Sequence, residues 1–216
     1  MKHIHEIFKT LDTIIPELDV PVMELVQAQT DDPFKILLGT ILSARTKDQV
    51  TAKACERLFQ RVDTVQDLKK LSVKELEELI YPVGFYQTKA RHLKELPNVL
   101  EKEFNNTLPQ TVEELTVLPG VGRKTANLVV ALGFRKPSIC VDVHVHRISN
   151  RLDILRTKTP LETEMRLRKT LPKEYWLKIN WYLVALGQKI CTPISPYCSQ
   201  CPLKKYCRQR GVKTTR

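Results

Sequence analysis

The sequence predicts a mainly α-helical protein. Apolar residues recur at helical spacing along most of the chain, and several segments begin with a helix-capping pattern. Glycine is scarce, with seven residues among 216, while hydrophobic residues make up 42% and charged residues 27% of the chain. This composition is typical of a folded protein with a substantial core. We predict about ten helices from the pattern.

The predicted helices begin and end at recognisable signals. Helical spacing runs through 32–62, with Pro33 near its start, and through 123–132, which Gly133 ends. A serine or threonine followed three residues later by glutamate marks three further starts, at Ser72 with Glu75, Thr111 with Glu114 and Thr159 with Glu162. Another helical segment follows Pro172 and continues to Cys191.

One segment disagrees with the helical pattern. Residues 139–146, ICVDVHVH, alternate apolar and polar side chains. Periodicity alone predicts a strand here. If a helix begins in this segment instead, Asp142 is its N-cap and the alternation is accidental.

The chain is strongly basic, with a net charge of +11 and a pI near 9.4. A cation of this size favours polyanionic partners, and nucleic acid is the leading candidate because phosphate neutralisation releases counterions. No window approaches 18 consecutive apolar residues, and acidic residues interrupt the apolar N-terminal segment. We therefore expect no membrane partner and a cytoplasmic, nucleoid-associated protein.

Residues 118–125, LPGVGRKT, predict a phosphate-binding turn. The glycine spacing fits neither a nucleotide P-loop nor a dinucleotide fingerprint, and a helical pattern precedes it rather than a strand. A helix, a tight turn and a second helix N-terminus remain, an arrangement that holds a DNA phosphate without reading a base. The alternative is an ordinary interhelical turn. The predicted DNA-contacting residues of this helix-hairpin-helix are Leu118, Gly120, Val121, Gly122 and Arg123.

One residue of this turn and one further along the chain are candidates for chemistry. Lys124 lies in the first turn of the second helix, where a neutral amine could attack a carbonyl carbon and form a Schiff base, or a charged one could grip a phosphate. Asp142 could be only a helix cap, or it could assist proton transfer and stabilise a developing cation. The residues alone leave both pairs of alternatives open.

The motifs at 118–130 and 141–151 resemble the endonuclease III family of DNA glycosylases, as do the segments 32–51 and 82–90. The resemblance covers nearly the whole chain. It implies an all-α, two-domain helix-hairpin-helix DNA glycosylase fold. A six-helix domain over 26–136 would carry the hairpin, and a discontinuous domain over 1–25 and 137–216 would carry a cluster loop. The active site would lie in the cleft between the two domains.

The same resemblance implies a function and its residues. The chain would be a base-excision-repair glycosylase that removes oxidised pyrimidines from double-stranded DNA and then cleaves the abasic site by β-elimination. Lys124 matches the family's nucleophile and Asp142 its catalytic aspartate. His144 would contact a phosphate, Arg45 would fill the gap left by the flipped base, and Phe85 would wedge into the stack.

Four cysteines crowd the C-terminus in a C-x6-C-x2-C-x5-C pattern: Cys191, Cys198, Cys201 and Cys207. Four thiolates at this spacing suit zinc or an iron–sulfur cluster, and the single C-x2-C pair leans toward the latter. The family resemblance implies a [4Fe-4S] cluster in this 191–207 loop. The loop residues 192–197 lack the basic side chains that the family often has there.

Other functions are compatible with parts of the pattern. A monofunctional thymine or uracil mismatch glycosylase could share the fold but would not need Lys124. A helix-hairpin-helix DNA-binding module would form no covalent DNA adduct, and an electron-transfer protein would not cleave DNA. We expect a monomer.

Overall fold

The computed structural model describes residues 3–15 and 30–216. Regular structure in these ranges is helical throughout, which confirms the all-α prediction. The α-helices are α1 Ile4–Ile14, α2 Pro33–Ser43, α3 Asp48–Phe59, α4 Val65–Lys70, α5 Val73–Ile80, α6 Tyr86–Phe104, α7 Val112–Leu115, α8 Arg123–Leu132, α9 Val143–Arg151, α10 Pro160–Thr170 and α11 Trp176–Lys189. Short 3-10 segments lie at Lys173–Tyr175 and Lys204–Tyr206.

Local capping explains where several helices start. Ser72 and Glu75 form a complete capping box at α5, and the side chains of Thr111 and Thr159 accept the backbone N–H three residues ahead of them. These hydrogen bonds satisfy N–H groups that the first helical turn leaves without an intrahelical acceptor. The three predicted capping starts are therefore confirmed.

The strand suggested by the alternation at 139–146 is wrong. Asp142 is the N-cap of α9, and its carboxylate accepts the backbone N–H groups of His144 and Val145 at 2.8 and 2.9 Å. A cap that satisfies two N–H groups favours the helix, and the buried residues Val145 and Ile148 then fall on one helical face. The polar residues between them, His146 and Arg147, are half-buried, and their side chains are hydrogen-bonded.

The chain divides into two compact units. The hairpin unit comprises the described residues 30–136, and the terminal unit comprises 3–15 together with 137–216. The predicted domain boundary between residues 25 and 26 lies outside the described residues, so the domain limits stay a prediction.

The hairpin unit is built around α2. This helix is apolar on nearly all sides, with Phe34, Ile36, Leu37, Leu38, Ile41 and Leu42 buried, and it packs against α3, α6 and α8. Gly133 at the end of α8 lies so close to α2 that a Cβ there would be 3.2 Å from the Cα of Pro33. The described part of this unit contains α2 to α8, of which α7 is a single turn.

The terminal unit has its own apolar core. It joins the buried face of α1 to α9, α10 and α11, and the Phe8 ring stacks on Tyr175 with 3.9 Å between ring centroids. Leu203 of the cysteine loop is fully buried in the same core. The described N-terminal helix and the C-terminal loop therefore fold as parts of one body. None of the helices in 3–15 and 30–216 is long and apolar enough to cross a membrane.

Candidate active site and cysteine loop

The LPGVG segment forms a tight turn between α7 and α8. The N–H of Val121 donates to the carbonyl oxygen of Leu118 at 3.1 Å, and the side chains of both residues are buried. Gly120 and Gly122 are exposed between and after them. Leu118 and Val121 therefore anchor the turn, and a DNA contact at these two residues would use their backbone atoms.

The two glycines of the turn differ in what the fold requires. Gly120 has a φ of +77°, and a Cβ there would lie 2.8 Å from Nδ1 of His92. Gly122 has an ordinary φ of −88°, and a Cβ there would meet no described heavy atom within 4 Å. The fold itself requires a glycine at 120. At 122 it does not, and a close approach by a ligand is what a glycine would permit.

Gly122 is the N-cap of α8, and the first turn is Arg123, Lys124 and Thr125. The glycine N-cap provides no side-chain acceptor for this turn, and Arg123 and Lys124 place two cations at the start of the helix. Lys124 is exposed at the second helical position. A nucleophile must be accessible to a substrate, and Lys124 meets that requirement.

Arg45 and Phe85 are brought together in the hairpin unit. The Arg45 guanidinium lies 5.6 Å from the centroid of the Phe85 ring, a cation–π distance. Both residues have left-handed backbones, with φ of 54° and 58°, and Phe85 is 63% exposed. A large exposed aromatic ring next to a cation suits contact with a nucleic-acid base. Their roles in filling the gap and wedging into the stack stay predictions.

His144 lies in the first turn of α9, next to Gly187 of α11. A Cβ at position 187 would be 2.3 Å from Nδ1 of His144, so the glycine makes room for the ring. Arg147 donates from Nη2 to the same Nδ1 at 3.1 Å. Because arginine has no acceptor, Nδ1 accepts, and the neutral imidazole carries its proton on Nε2. That tautomer can donate to a phosphate oxygen, as predicted for His144.

The four clustered cysteines line one pocket in the terminal unit, together with Arg151, Tyr197, Lys204 and other loop residues. None is in a disulfide. Within residues 3–15 and 30–216, no three His, Cys, Asp or Glu side chains converge as the ligands of one metal ion would. Four cysteine sulfurs around one pocket are a ligand set that suits zinc or an iron–sulfur cluster.

Arg151 holds the loop that carries these cysteines. Its guanidinium donates to the carbonyl oxygens of Thr192 and Pro193, both at 2.7 Å, and to Sγ of Cys191 at 3.3 Å. Its own carbonyl accepts from the Cys207 thiol at 3.4 Å. Arg151 is 8% exposed and therefore a buried cation that contacts the first and last cysteine of the set.

Burial changes the acidity of three of these thiols. It raises the pKa of Cys201 to about 11 and also raises the pKa values of Cys198 and Cys207. These thiols are therefore protonated at neutral pH until a metal displaces their protons. Loading of the site should become weaker as the pH falls.

Sequence reasoning missed several supporting residues. No local signal in the sequence marks Arg147, Arg151 or Gly187, because basic residues are common in this chain and one glycine inside a helix carries little information. Their roles depend on tertiary neighbours that are distant in sequence. The predicted residues themselves fall into separate groups: the hairpin with Lys124, the Arg45–Phe85 pair, the start of α9, and the cysteine pocket.

Comparison with known proteins agrees with this arrangement. Residues 38–173 match the family model of the HhH-GPD superfamily of base excision DNA repair proteins. The chain is 46% identical over 183 residues to Endonuclease III of Thermotoga maritima, which covers 83% of this chain and 86% of the relative. It is 43% identical over 183 residues to the chloroplastic Endonuclease III homolog 2 of Arabidopsis thaliana, covering 81% of this chain and about half of the relative, 47%.

Two solved structures are similar over nearly the whole chain. One is a non-covalent Endonuclease III–DNA complex, with a TM-score of 0.84, 35% identity, and coverage of 96% of this chain and 95% of that one. The other is a trapped Endonuclease III–DNA covalent intermediate, with a TM-score of 0.80, 35% identity, and 95% coverage of both chains.

The helical fold and its hairpin define an HhH-GPD base excision DNA repair protein. Within that class, the chain belongs to the endonuclease III family. The resemblance seen in the sequence motifs is confirmed.

Proposed function

We propose that this protein is a bifunctional DNA glycosylase and abasic-site lyase that acts on oxidised pyrimidines in duplex DNA. The observation that carries the proposal is Lys124, an exposed lysine at the N-terminus of α8 directly after the hairpin, in a chain 35% identical to one trapped covalently on DNA. A binding module would not need a nucleophile at this position. A monofunctional glycosylase would not need one either.

The proposed reaction begins with the damaged nucleotide rotated out of the duplex, because its sugar cannot be attacked inside the stack. The neutral amine of Lys124 attacks the anomeric carbon, and the bond to the base breaks with its electron pair on the departing base. The Lys124 nitrogen, now bonded to the anomeric carbon, loses a proton and expels the ring oxygen, which takes up a proton; the sugar ring opens and a C=N double bond, the Schiff base, is formed. This makes the adjacent C–H acidic, and elimination expels the 3′ phosphate and cuts the strand.

Asp142 would supply negative charge while the sugar carries positive charge. Its carboxylate already accepts two N–H groups of α9, which fixes its orientation. In the proposal it also assists proton transfer as the base leaves. His144 would bind a phosphate through Nε2, and Gly120, Gly122 and Arg123 would hold the backbone at the hairpin.

We infer that Cys191, Cys198, Cys201 and Cys207 hold a [4Fe-4S] cluster. The shared pocket of the four cysteines and the family membership support this assignment. Bound there, the cluster would supply four metal–thiolate bonds that tie the C-terminal loop to the terminal unit. Iron and acid-labile sulfide content, with the visible absorption spectrum, should show one cluster per chain. Zinc at one equivalent without iron would contradict the assignment.

The test of the enzymatic proposal is borohydride trapping. The protein is incubated with duplex DNA containing one thymine glycol, and the products are separated on a denaturing gel. We expect a covalent protein–DNA band for the wild type and none for Lys124→Ala. Removing a cation from the first turn should leave helix stability unchanged or slightly higher, so the variant should remain folded.

Lys53→Ala is the matched control, because Lys53 is an exposed helical lysine in the same unit. It should still give the covalent band. Base loss without a covalent band would identify a monofunctional glycosylase, and absence of both activities on thymine glycol and on uracil mismatches would favour a binding module. The cytoplasmic, nucleoid-associated location remains a prediction.

A further inference from the structure

Lys89 is a buried lysine whose donors are used inside the hairpin unit. The residue is 7% exposed, and Nζ donates to the carbonyl oxygens of Leu42 and Ala44 at 2.8 and 2.6 Å and to Oγ1 of Thr46 at 3.3 Å. An ammonium group has three N–H donors, so these three uncharged oxygens satisfy it. Burial lowers the pKa of Lys89 to about 8. Buried lysines are rare and need a structural or functional reason.

The acceptors of Lys89 lie at the C-terminal end of α2. Ala44 is the C-cap of that helix, and the residues of its last turn are uncharged. The last carbonyl groups of a helix carry partial negative charge, and a cation stabilises them. Lys89, which comes from α6, therefore caps α2 at the point where the chain turns to the left-handed Arg45.

The same group of contacts reaches the segment before α6. Thr46 Oγ1 also accepts the N–H of Gly84 at 3.2 Å, and a Cβ on Gly84 would be 2.4 Å from the carbonyl oxygen of Arg45. One turn into α6, the N–H of Lys89 donates to the carbonyl of Phe85 at 3.0 Å. Lys89 thus lies between the two segments that present Arg45 and Phe85.

Both presented residues need support from their surroundings. Left-handed backbones at arginine and phenylalanine are uncommon and persist where neighbouring structure holds them. If their backbones were mobile, these two exposed side chains, 5.6 Å apart, would not keep a fixed relative position in solution. The buried lysine supplies a fixed point common to both backbones.

We propose that Lys89 is a positioning residue that holds Arg45 and Phe85 as one preorganised pair, which opens the base stack around the lesion. This positioning role rests on the proposed function, because the pair is assigned to opening a duplex in which the damaged base is then excised. Lys89 does not touch the reacting atoms. Its effect should therefore depend on whether the stack has to be opened, and on whether the pair is present.

The test measures single-turnover base excision by Lys89→Met, which keeps the chain length and removes the three donors. The two substrates are thymine glycol paired in a duplex and thymine glycol in an unpaired bubble of the same sequence. We expect a loss of about ten- to hundredfold on the paired duplex. On the bubble we expect a loss of at most about twofold, because the stack is already open there.

Lys94→Met is the matched control. Lys94 lies on the same helix and donates in the same way to carbonyl oxygens at the end of another helix, those of Lys69 and Leu71 at 2.8 and 2.7 Å. It should leave excision within about twofold of wild type on both substrates, whatever it does to thermal stability. A fall in excision equal to that of Lys89→Met would show that loss of any such cap is sufficient, and would overturn the proposal.

A double-mutant cycle gives a second test of the positioning role. In a protein that already carries Arg45→Ala and Phe85→Ala, Lys89→Met should add no more than about twofold, because its effect acts through the pair. The same large additional loss in that background, or equal losses on duplex and bubble, would overturn the positioning role. Wild-type protein that excises thymine glycol from neither substrate would instead overturn the proposed function, and the positioning role with it.

Discussion

Replacing Asp142 by asparagine and by alanine should separate its structural role from its chemical role. The carboxylate is the N-cap of the nine-residue helix α9 and accepts two backbone N–H groups at 2.8 and 2.9 Å through the same oxygen, Oδ1. Alanine removes this acceptor. Asparagine keeps a carbonyl oxygen at the same place and removes only the negative charge.

The magnitudes follow from these contacts. Loss of an N-cap acceptor costs about 1 kcal/mol, with a range of about 0.5–2 kcal/mol, so Asp142→Ala should lower the free energy of unfolding by about that amount. Asp142→Asn should lose only the interaction of the charge with the helix dipole, about 0.3–1 kcal/mol. For a chain of this size, 1 kcal/mol corresponds to a melting temperature shift of about 2–4 °C.

The assay combines denaturant unfolding with single-turnover excision and borohydride trapping. If the carboxylate acts on the substrate, Asp142→Asn should lose about as much excision activity as Asp142→Ala, at least about 100-fold, although it is the more stable variant. Near-wild-type excision by Asp142→Asn would show that the residue is only a cap. Equal losses of stability in both variants would refute the capping account instead.

Three further predictions concern glycines and the buried lysine. Gly120→Ala should lower the free energy of unfolding by about 1 kcal/mol or more in a denaturant titration, because φ is +77° and the new Cβ meets His92. Gly122→Ala should leave the free energy of unfolding nearly unchanged and should weaken only DNA binding, measured by fluorescence anisotropy. Gly187→Ala should reduce DNA affinity as well, since its Cβ would lie 2.3 Å from Nδ1 of His144; unchanged affinity would argue against a phosphate contact by that ring. Burial lowers the pKa of Lys89 from an ordinary 10.5 to about 8, so the folded state binds fewer protons between these values and stability rises with pH there. Relative to Lys89→Met, the free energy of unfolding of the wild type should therefore increase by about 1–3 kcal/mol between pH 7 and pH 10. Parallel pH profiles of this free energy for the two proteins would contradict the burial of the charge.

Much of this protein could be predicted from its residues alone. Helix starts are local, because a capping side chain three residues from its N–H partner does not depend on the rest of the fold; Ser72, Thr111 and Thr159 behaved as predicted. The hairpin and the four-cysteine spacing are also local in sequence, so the sequence alone predicts a DNA-binding turn and a metal group. The net positive charge of the chain likewise predicts a polyanionic binding partner.

The tertiary structure decided what depends on distant neighbours. Alternation at 139–146 indicated a strand, and the helix formed instead because the Asp142 cap and burial of Val145 and Ile148 in the terminal core outweigh a short period-two pattern. Nothing local marks Lys89 as a cap for a helix 45 residues away, or Gly187 as the space for His144. Helix packing creates these contacts, because it alone sets which carbonyl groups and rings a side chain meets.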